Sequence, residues 1–215
     1  MIKLNEIEDI IKIIKSCSVI ALKYYNQENL QVSFKDDYSP ITKADIEISK
    51  LATIGLKKIF KKDVFISEEK KIKEKEFNCD RFWLIDPIDG TKEFIKKSGN
   101  FTINFALIIL GKPIFGIICQ PTTSSVWYNF DNKSFKIVNT FNTKDAFLIN
   151  ASYFNEKKPK LICSSNNIDT GLKNWIKLID PISVKNIGSS LKFCLMAEGK
   201  FTIYPRNLPT MEWDT

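Results

Sequence analysis

Asp86 and Asp89 stand three residues apart around Pro87, directly after the apolar run 82–85, and Gly90 and Thr91 follow them. Asp, Pro and Gly are the usual residues for leaving a strand, so a turn alone accounts for the segment. The same residues have a second use. Two carboxylates and a backbone carbonyl delivered to one point make the all-oxygen ligand set that a hard cation such as Mg²⁺ takes. Glu68 and Glu69 close another short apolar run, 64–67. If the two strands are neighbours, these carboxylates converge and raise one another's pKa unless a divalent cation neutralises them. Taken alone, Glu68 and Glu69 behind Ser67 read as a capped helix start. Thr42, with Asp45 three residues later, has the form of a capping box. Gly188, Ser189 and Ser190 precede an apolar-periodic stretch, with Lys192 close behind. Small residues and free amides there suit a phosphate or a ribose, and equally any capped helix.

The chain contains no histidine, which excludes Ser-His-Asp triads, Cys-His pairs and His-ligated zinc. Carboxylates, hydroxyls, lysines or metals must carry any catalysis. The five cysteines form no C-x-x-C pair and fit reduced thiols inside a core. The net charge of +7 comes almost wholly from lysine, since Arg81 and Arg206 are the only arginines. Lysines scattered without aromatic-basic alternation describe a solvated surface that attracts small anions, not a nucleic-acid interface. Charged residues interrupt every apolar run within residues 1–16, so this start reads as neither signal peptide nor membrane span. A cytoplasmic location is expected. Homodimer formation and peripheral membrane association are both left open.

These groups need elements to position them, and a 44% hydrophobic chain of 215 residues can fill a core. Ile7, Ile10, Ile11, Ile14, Cys17, Ala21 and Tyr25 follow helical spacing and predict a helix over about 4–26. A short strand at 30–34 and a second helix opened by Thr42 follow. The period then changes to short β-branched and aromatic runs at 64–67, 82–85, 101–110, 114–119 and 125–130, which predict one mainly antiparallel sheet. Beyond it come a strand at 161–165, a helix at 169–178, a strand near Val184, a helix at 189–198 and a strand at 201–205. The lysine-rich stretch 70–80 reads as an exposed loop. The expected fold is an α+β or α/β sandwich of alternating helix and sheet layers. Residues 1–135 are expected to carry the helix pair, the sheet and most of the metal ligands. Residues 136–215 are expected to form an α/β part with the nucleotide-contacting segment.

The order of SPITKAD, ISEE, WLIDPIDGTKEF, IGSSLKFCLMAEG, YPR and WDT resembles the lithium-sensitive, magnesium-dependent phosphatase superfamily that contains inositol monophosphatase. Within it the chain is most similar to the bacterial 3'(2'),5'-bisphosphate nucleotidases, and the resemblance covers nearly its whole length. It implies an inositol monophosphatase-like sandwich and two or three Mg²⁺ ions held by Glu68, Asp86, Asp89, Asp214 and the Ile88 carbonyl. Asp45 and Thr91 correspond to the pair that orients and deprotonates the attacking water, with Glu68 beside them at the catalytic centre. The backbone of Gly90 and Thr91 corresponds to the cradle of the scissile phosphate, which Glu68, Ile88, Asp89 and Asp214 also face. Gly188, Ser189, Ser190, Lys192 and Arg206 fall where the nucleotidase branch contacts its nucleotide. The implied reaction removes the 3'-phosphate of adenosine 3',5'-bisphosphate, a by-product of sulfate activation, without a covalent enzyme intermediate. The rivals are an inositol or sugar phosphate phosphatase with the same metal centre and a non-catalytic relative. Arg206 and the GSSLK segment argue against the first.

The resembling enzymes continue past the WD motif through a helix and further strands, whereas this sequence ends at Thr215. The expectation is a C-terminally shortened form in which Asp214 frays. Such a form would bind its second metal weakly and be less active than an extended one.

Overall fold

Apolar residues three and four apart produce two helices, α1 (Leu4–Tyr25) and α2 (Lys43–Ile59), in the computed structural model, which describes residues 2–35, 38–70, 79–152, 159–164 and 169–207. Ile7, Ile10, Ile11 and Ile14 of α1 and Ile48, Ala52 and Leu56 of α2 are buried together, and the two helices pack as a pair. Each large aliphatic side chain so buried contributes about 1.5–3 kcal/mol. Between the helices in sequence, β1 (Val32–Phe34) and β2 (Pro40–Thr42) form an antiparallel hairpin.

The helix pair covers one face of a seven-stranded sheet. Its strands lie in chain order: β3 (Val64–Ser67), β4 (Arg81–Asp89), β5 (Thr102–Ile109), β6 (Lys112–Gln120), β7 (Ser125–Phe130), β8 (Lys133–Val138) and β9 (Phe147–Ile149). β3 and β4 are parallel, and each later pair is antiparallel. The two-residue period sorts the side chains. Trp83 and Ile85 join Ile103, Phe105 and Leu107 beneath the helices, while Phe82 and Leu84 face the other side with Ile66.

A second unit covers part of that other face. β10 (Lys160–Cys163) and β11 (Ser183–Asn186) form a parallel pair joined through α4 (Thr170–Ile179). α5 (Leu191–Ala197) buries Leu191 and Cys194 against Trp127 and Ile149 of the large sheet and Ile162 of β10. The layers are therefore helix pair, large sheet, α5 and small sheet, as the periodicities predict.

Three details differ from the sequence reading. β8 and β9 carry the sheet on to Ile149, so the division expected at residue 135 falls inside β8. The strand expected over 201–205 is a single parallel bridge from Leu161 to Ile203, with Ile162 N donating to the Ile203 carbonyl at 3.0 Å. Pro205 follows and has no N–H with which to extend a ladder. Most of the loop expected over 70–80 lies outside the described residues, and among the described residues no helix is long and apolar enough to cross a membrane.

Candidate active site

β4 does not end at Asp86 but runs on through Pro87 to Asp89. Its pairing with β5 sets Asp86 opposite Asn104 and Asp89 opposite Thr102, so three steps on β4 face two on β5. That is a β-bulge. In an unbroken strand, side chains three apart point to opposite faces; the extra residue brings both aspartates to the face shared by Asn104 and Thr102. Pro87 sits within the bulge, where a missing donor costs no ladder bond. The chain turns one residue later, at Gly90, whose φ of +86° lies in the left-handed region. A Cβ there would also come within 3.0 Å of the Ser189 side chain. The short helix α3 (Thr91–Ile95) follows, and Thr91 Oγ1 donates to the Ile88 carbonyl at 3.2 Å.

Because β3 and β4 are parallel neighbours, their carboxyl ends coincide, and Glu68 N donates to the Ile85 carbonyl at 3.1 Å. A 2.7 Å hydrogen bond between the buried hydroxyls of Ser67 and Ser49 ties this end to α2. At the start of α2 the capping box forms as predicted: Asp45 Oδ2 accepts from Thr42 N at 2.8 Å and from Thr42 Oγ1 at 2.5 Å. Asp45 Oδ1 is buried without a hydrogen-bond partner among the described residues. Burial pushes the Asp45 carboxyl up to about 6, Thr42 opposes the shift, and the charge of Glu68 adds to it. Burial likewise pushes Glu69 up to about 7 against the pull of Lys35. Lys35 Nζ contacts Glu68 at 2.8 Å and Glu69 at 3.0 Å.

One ammonium therefore faces a group of carboxylates that exceeds it in charge, and every donor is oxygen. In charge and donor type this set fits a hard divalent cation. Among the described residues no three acidic, cysteine or histidine side chains converge tightly enough to hold an ion by themselves. Asp214, expected to complete the set, lies outside the described residues.

A cleft of about 360 Å³ opens at these strand ends. Glu68, Asp89, Gly90 and Thr91 line it together with Gly188, Ser189, Ser190, Lys192 and Arg206. Ser190 fastens the two groups together. Its backbone N donates to Asp89 Oδ2, its hydroxyl lies 2.7 Å from Thr102 Oγ1, and the same hydroxyl donates to Asn104 Oδ1 at 2.9 Å. Gly188 lies so close to the Glu93 carboxyl of α3 that any Cβ there would overlap it. Lys192 is buried; its Nζ donates to the Ser189 carbonyl at 2.5 Å and sits 5.4 Å from the centre of the Tyr204 ring. Arg206 Nη1 donates to the Tyr204 hydroxyl at 3.0 Å.

The expected residues that do not line this cleft are Asp45, Asp86 and Ile88, all buried, and the undescribed Asp214. Asp86 faces an adjoining groove with Asn104 and Ser190. Asp45 and Thr91 share no hydrogen bond among the described residues, each being held by its own neighbour, Thr42 and Ile88. Sequence reasoning missed Lys35, Glu93 and Tyr204. Two of these stand inside motifs it had singled out, GTKEF and YPR, and only pairing across the fold reveals what they touch.

Strand-end carboxylates in contact with a Gly-Ser-Ser turn, within a layered sandwich, suit metal-assisted phosphatase chemistry. The chain belongs to the inositol monophosphatase family, whose sequence profile matches residues 4–215. It is 38% identical over 211 residues to the 3'(2'),5'-bisphosphate nucleotidase CysQ of Buchnera aphidicola subsp. Acyrthosiphon pisum, covering 97% of this chain and 78% of that protein. It is 36% identical over 197 residues to the protein of the same name from Escherichia coli K12, covering 89% and 76%. The solved structure of CysQ from Bacteroides thetaiotaomicron, a bacterial member of the family, matches with a TM-score of 0.78 at 26% identity over 98% of this chain and 82% of that one. An inositol monophosphatase from Thermotoga maritima shares the fold, with a TM-score of 0.74 at 21% identity over 90% and 73%. The expected family and layered fold are thus borne out.

Proposed function

We propose that this protein is a phosphomonoesterase that removes the 3'-phosphate of adenosine 3',5'-bisphosphate in a Mg²⁺-dependent reaction. The observation that carries the reading is that Glu68 and Asp89 at the strand ends line one cleft together with Gly188, Lys192 and Arg206. Its similarity to the CysQ nucleotidases over most of their length supports the choice of substrate. Glu68, Asp86, Asp89, the Ile88 carbonyl and Asp214 would hold two or three Mg²⁺ ions, which neutralise the phosphate and promote ionisation of water.

The chain's own residues do the rest. Asp45 keeps one carboxylate oxygen bonded to Thr42 and leaves the other, buried and unpartnered among the described residues, for a proton. With its affinity for protons raised by burial, it serves with Thr91 to orient a water and take its proton. The water attacks phosphorus in line, the bond to the 3'-oxygen breaks, and that oxygen takes a proton from solvent to leave as the ribose hydroxyl. The backbone of Gly90 and Thr91 holds the phosphate, while Ser189, Ser190, Lys192 and Arg206 bind the nucleotide. A histidine-free chain can complete this reaction.

Phosphate release from adenosine 3',5'-bisphosphate and from inositol 1-phosphate, with Mg²⁺ and with excess EDTA, tests the reading. The nucleotide is expected to have the higher kcat/KM, and EDTA to abolish both activities. A preference for inositol 1-phosphate, or full activity in EDTA, would overturn it.

A further inference from the structure

We propose that Ser49 and Ser67 are a pair of positioning residues that set the distance between Asp45, the base of the reaction above, and Glu68, the carboxylate that reaction gives to the metal. The inference rests on that reading. The two carboxylates arrive on different elements, Asp45 in the first turn of α2 and Glu68 directly after β3. Toward β4 the backbone fixes Glu68, because the strands pair in parallel and Glu68 N donates to the Ile85 carbonyl at 3.1 Å. That tie sets Glu68 against Asp86 and Asp89, but not against Asp45. The body of α2 meets the sheet through Ile48, Ala52 and Leu56, packed with Trp83 and Ile85. Apolar contact of this kind is non-directional and leaves the slide of helix over strand loosely set.

The two serines supply the directional link. Ser49 stands one turn beyond Asp45 on the same face of α2, and Ser67 immediately precedes Glu68. Their hydroxyls lie 2.7 Å apart, with Ser49 3% and Ser67 1% exposed. A hydrogen bond of that length fixes angle as well as distance. Among the described residues β3 is the outermost strand of its sheet, so no strand on its far side shares the task. A further link, from Lys70 Nζ to Thr53 Oγ1, is 3.5 Å long and exposed. Burial raises the affinity of Asp45 for a proton and the charge of Glu68 adds to it, so the two carboxylates sense one another. The base and the phosphate held beside Glu68 must meet closely, and a small misplacement costs rate more than affinity.

The test measures kcat and KM for adenosine 3',5'-bisphosphate, and denaturant unfolding with and without Mg²⁺, for the wild type, Ser49→Ala, Ser67→Ala and the double variant. Each single variant strands a buried hydroxyl and is expected to lower stability; the double variant strands none and is expected to recover most of it. Its kcat is expected to stay about ten-fold below that of the wild type, with KM changed less than about two-fold. Mg²⁺ is expected to raise its unfolding midpoint as much as it raises the wild type's, because Glu68 stays fixed to β4. Recovery of kcat along with stability would show that the pair only packs, and loss of the Mg²⁺ effect would show that it acts on the ligand set; either overturns the proposal. Should the double variant fail to fold, Ser67→Thr and Ser67→Val decide, being alike in shape and unlike in the hydroxyl. The threonine form is expected to exceed the valine form about five-fold in kcat, and equal values count against the proposal. A wild type with no activity on the nucleotide defeats the reaction reading itself, whereas an active wild type and a double variant of equal kcat defeat only this inference.

Discussion

Asp45 caps a helix and, in the proposed reaction, is also the base. The capping box was legible because Thr and Asp three apart are its local signature, and Asp45 Oδ2 accepts from both the Thr42 N–H and the Thr42 hydroxyl. The burial that raises its affinity for a proton was not legible, since it depends on the end of β3 closing over α2. That burial predicts how stability varies with pH. The folded carboxyl, pushed up to about 6, holds its proton more tightly than an unfolded one. Its contribution to stability is therefore fully present below about pH 4 and lost as pH rises through about 6. In metal-free buffer, Asp45→Asn keeps an acceptor for Thr42 but carries no charge. It is expected to match the wild type near pH 4 and to exceed it by on the order of 2–3 kcal/mol at pH 7.5. Denaturant unfolding across that range checks this, and parallel curves would show that Asp45 carries no such penalty.

The elements were mostly readable, and the misses have local causes. The period of three and four in α1 and α2 survives because one stripe of each helix is buried and the other is wet. β4 was read as ending at Asp86 because Pro and Asp leave strands; the bulge keeps the strand going, and it leaves little trace in composition. β8 and β9 were missed because β8 is half lysine and polar residues and β9 is only three residues long, too little for a period-two signal. The close approach of the turn before α5 to α3 is likewise written in one residue. Gly188 makes room for Glu93, and a methyl group there must displace a carboxyl packed into the cleft wall. Gly188→Ala is expected to cost about 1–3 kcal/mol of stability through overpacking and to raise KM for the nucleotide, read by thermal unfolding and initial rates. An unchanged KM would mean that this contact does not shape the substrate wall.

For the molecule as a whole, the proposed reading assigns chemistry and recognition to different units. The start of α2 and the ends of β3 and β4 hold Asp45, Glu68, Asp86 and Asp89, whereas α5 and the segment after it hold Lys192 and Arg206. Ser190, bonded at once to Asp89, Thr102 and Asn104, keeps the two units in register. The ordered motifs revealed both halves, but only the folded chain shows that they line one cleft. The central claim is that the acidic half cuts and the basic half holds, so the orientation of the substrate decides it. Incubating the protein with adenosine 3',5'-bisphosphate and Mg²⁺ and identifying the nucleotide product by phosphorus NMR measures that orientation. Adenosine 5'-monophosphate and inorganic phosphate are the predicted products; adenosine 3'-monophosphate, or no turnover, would contradict the account.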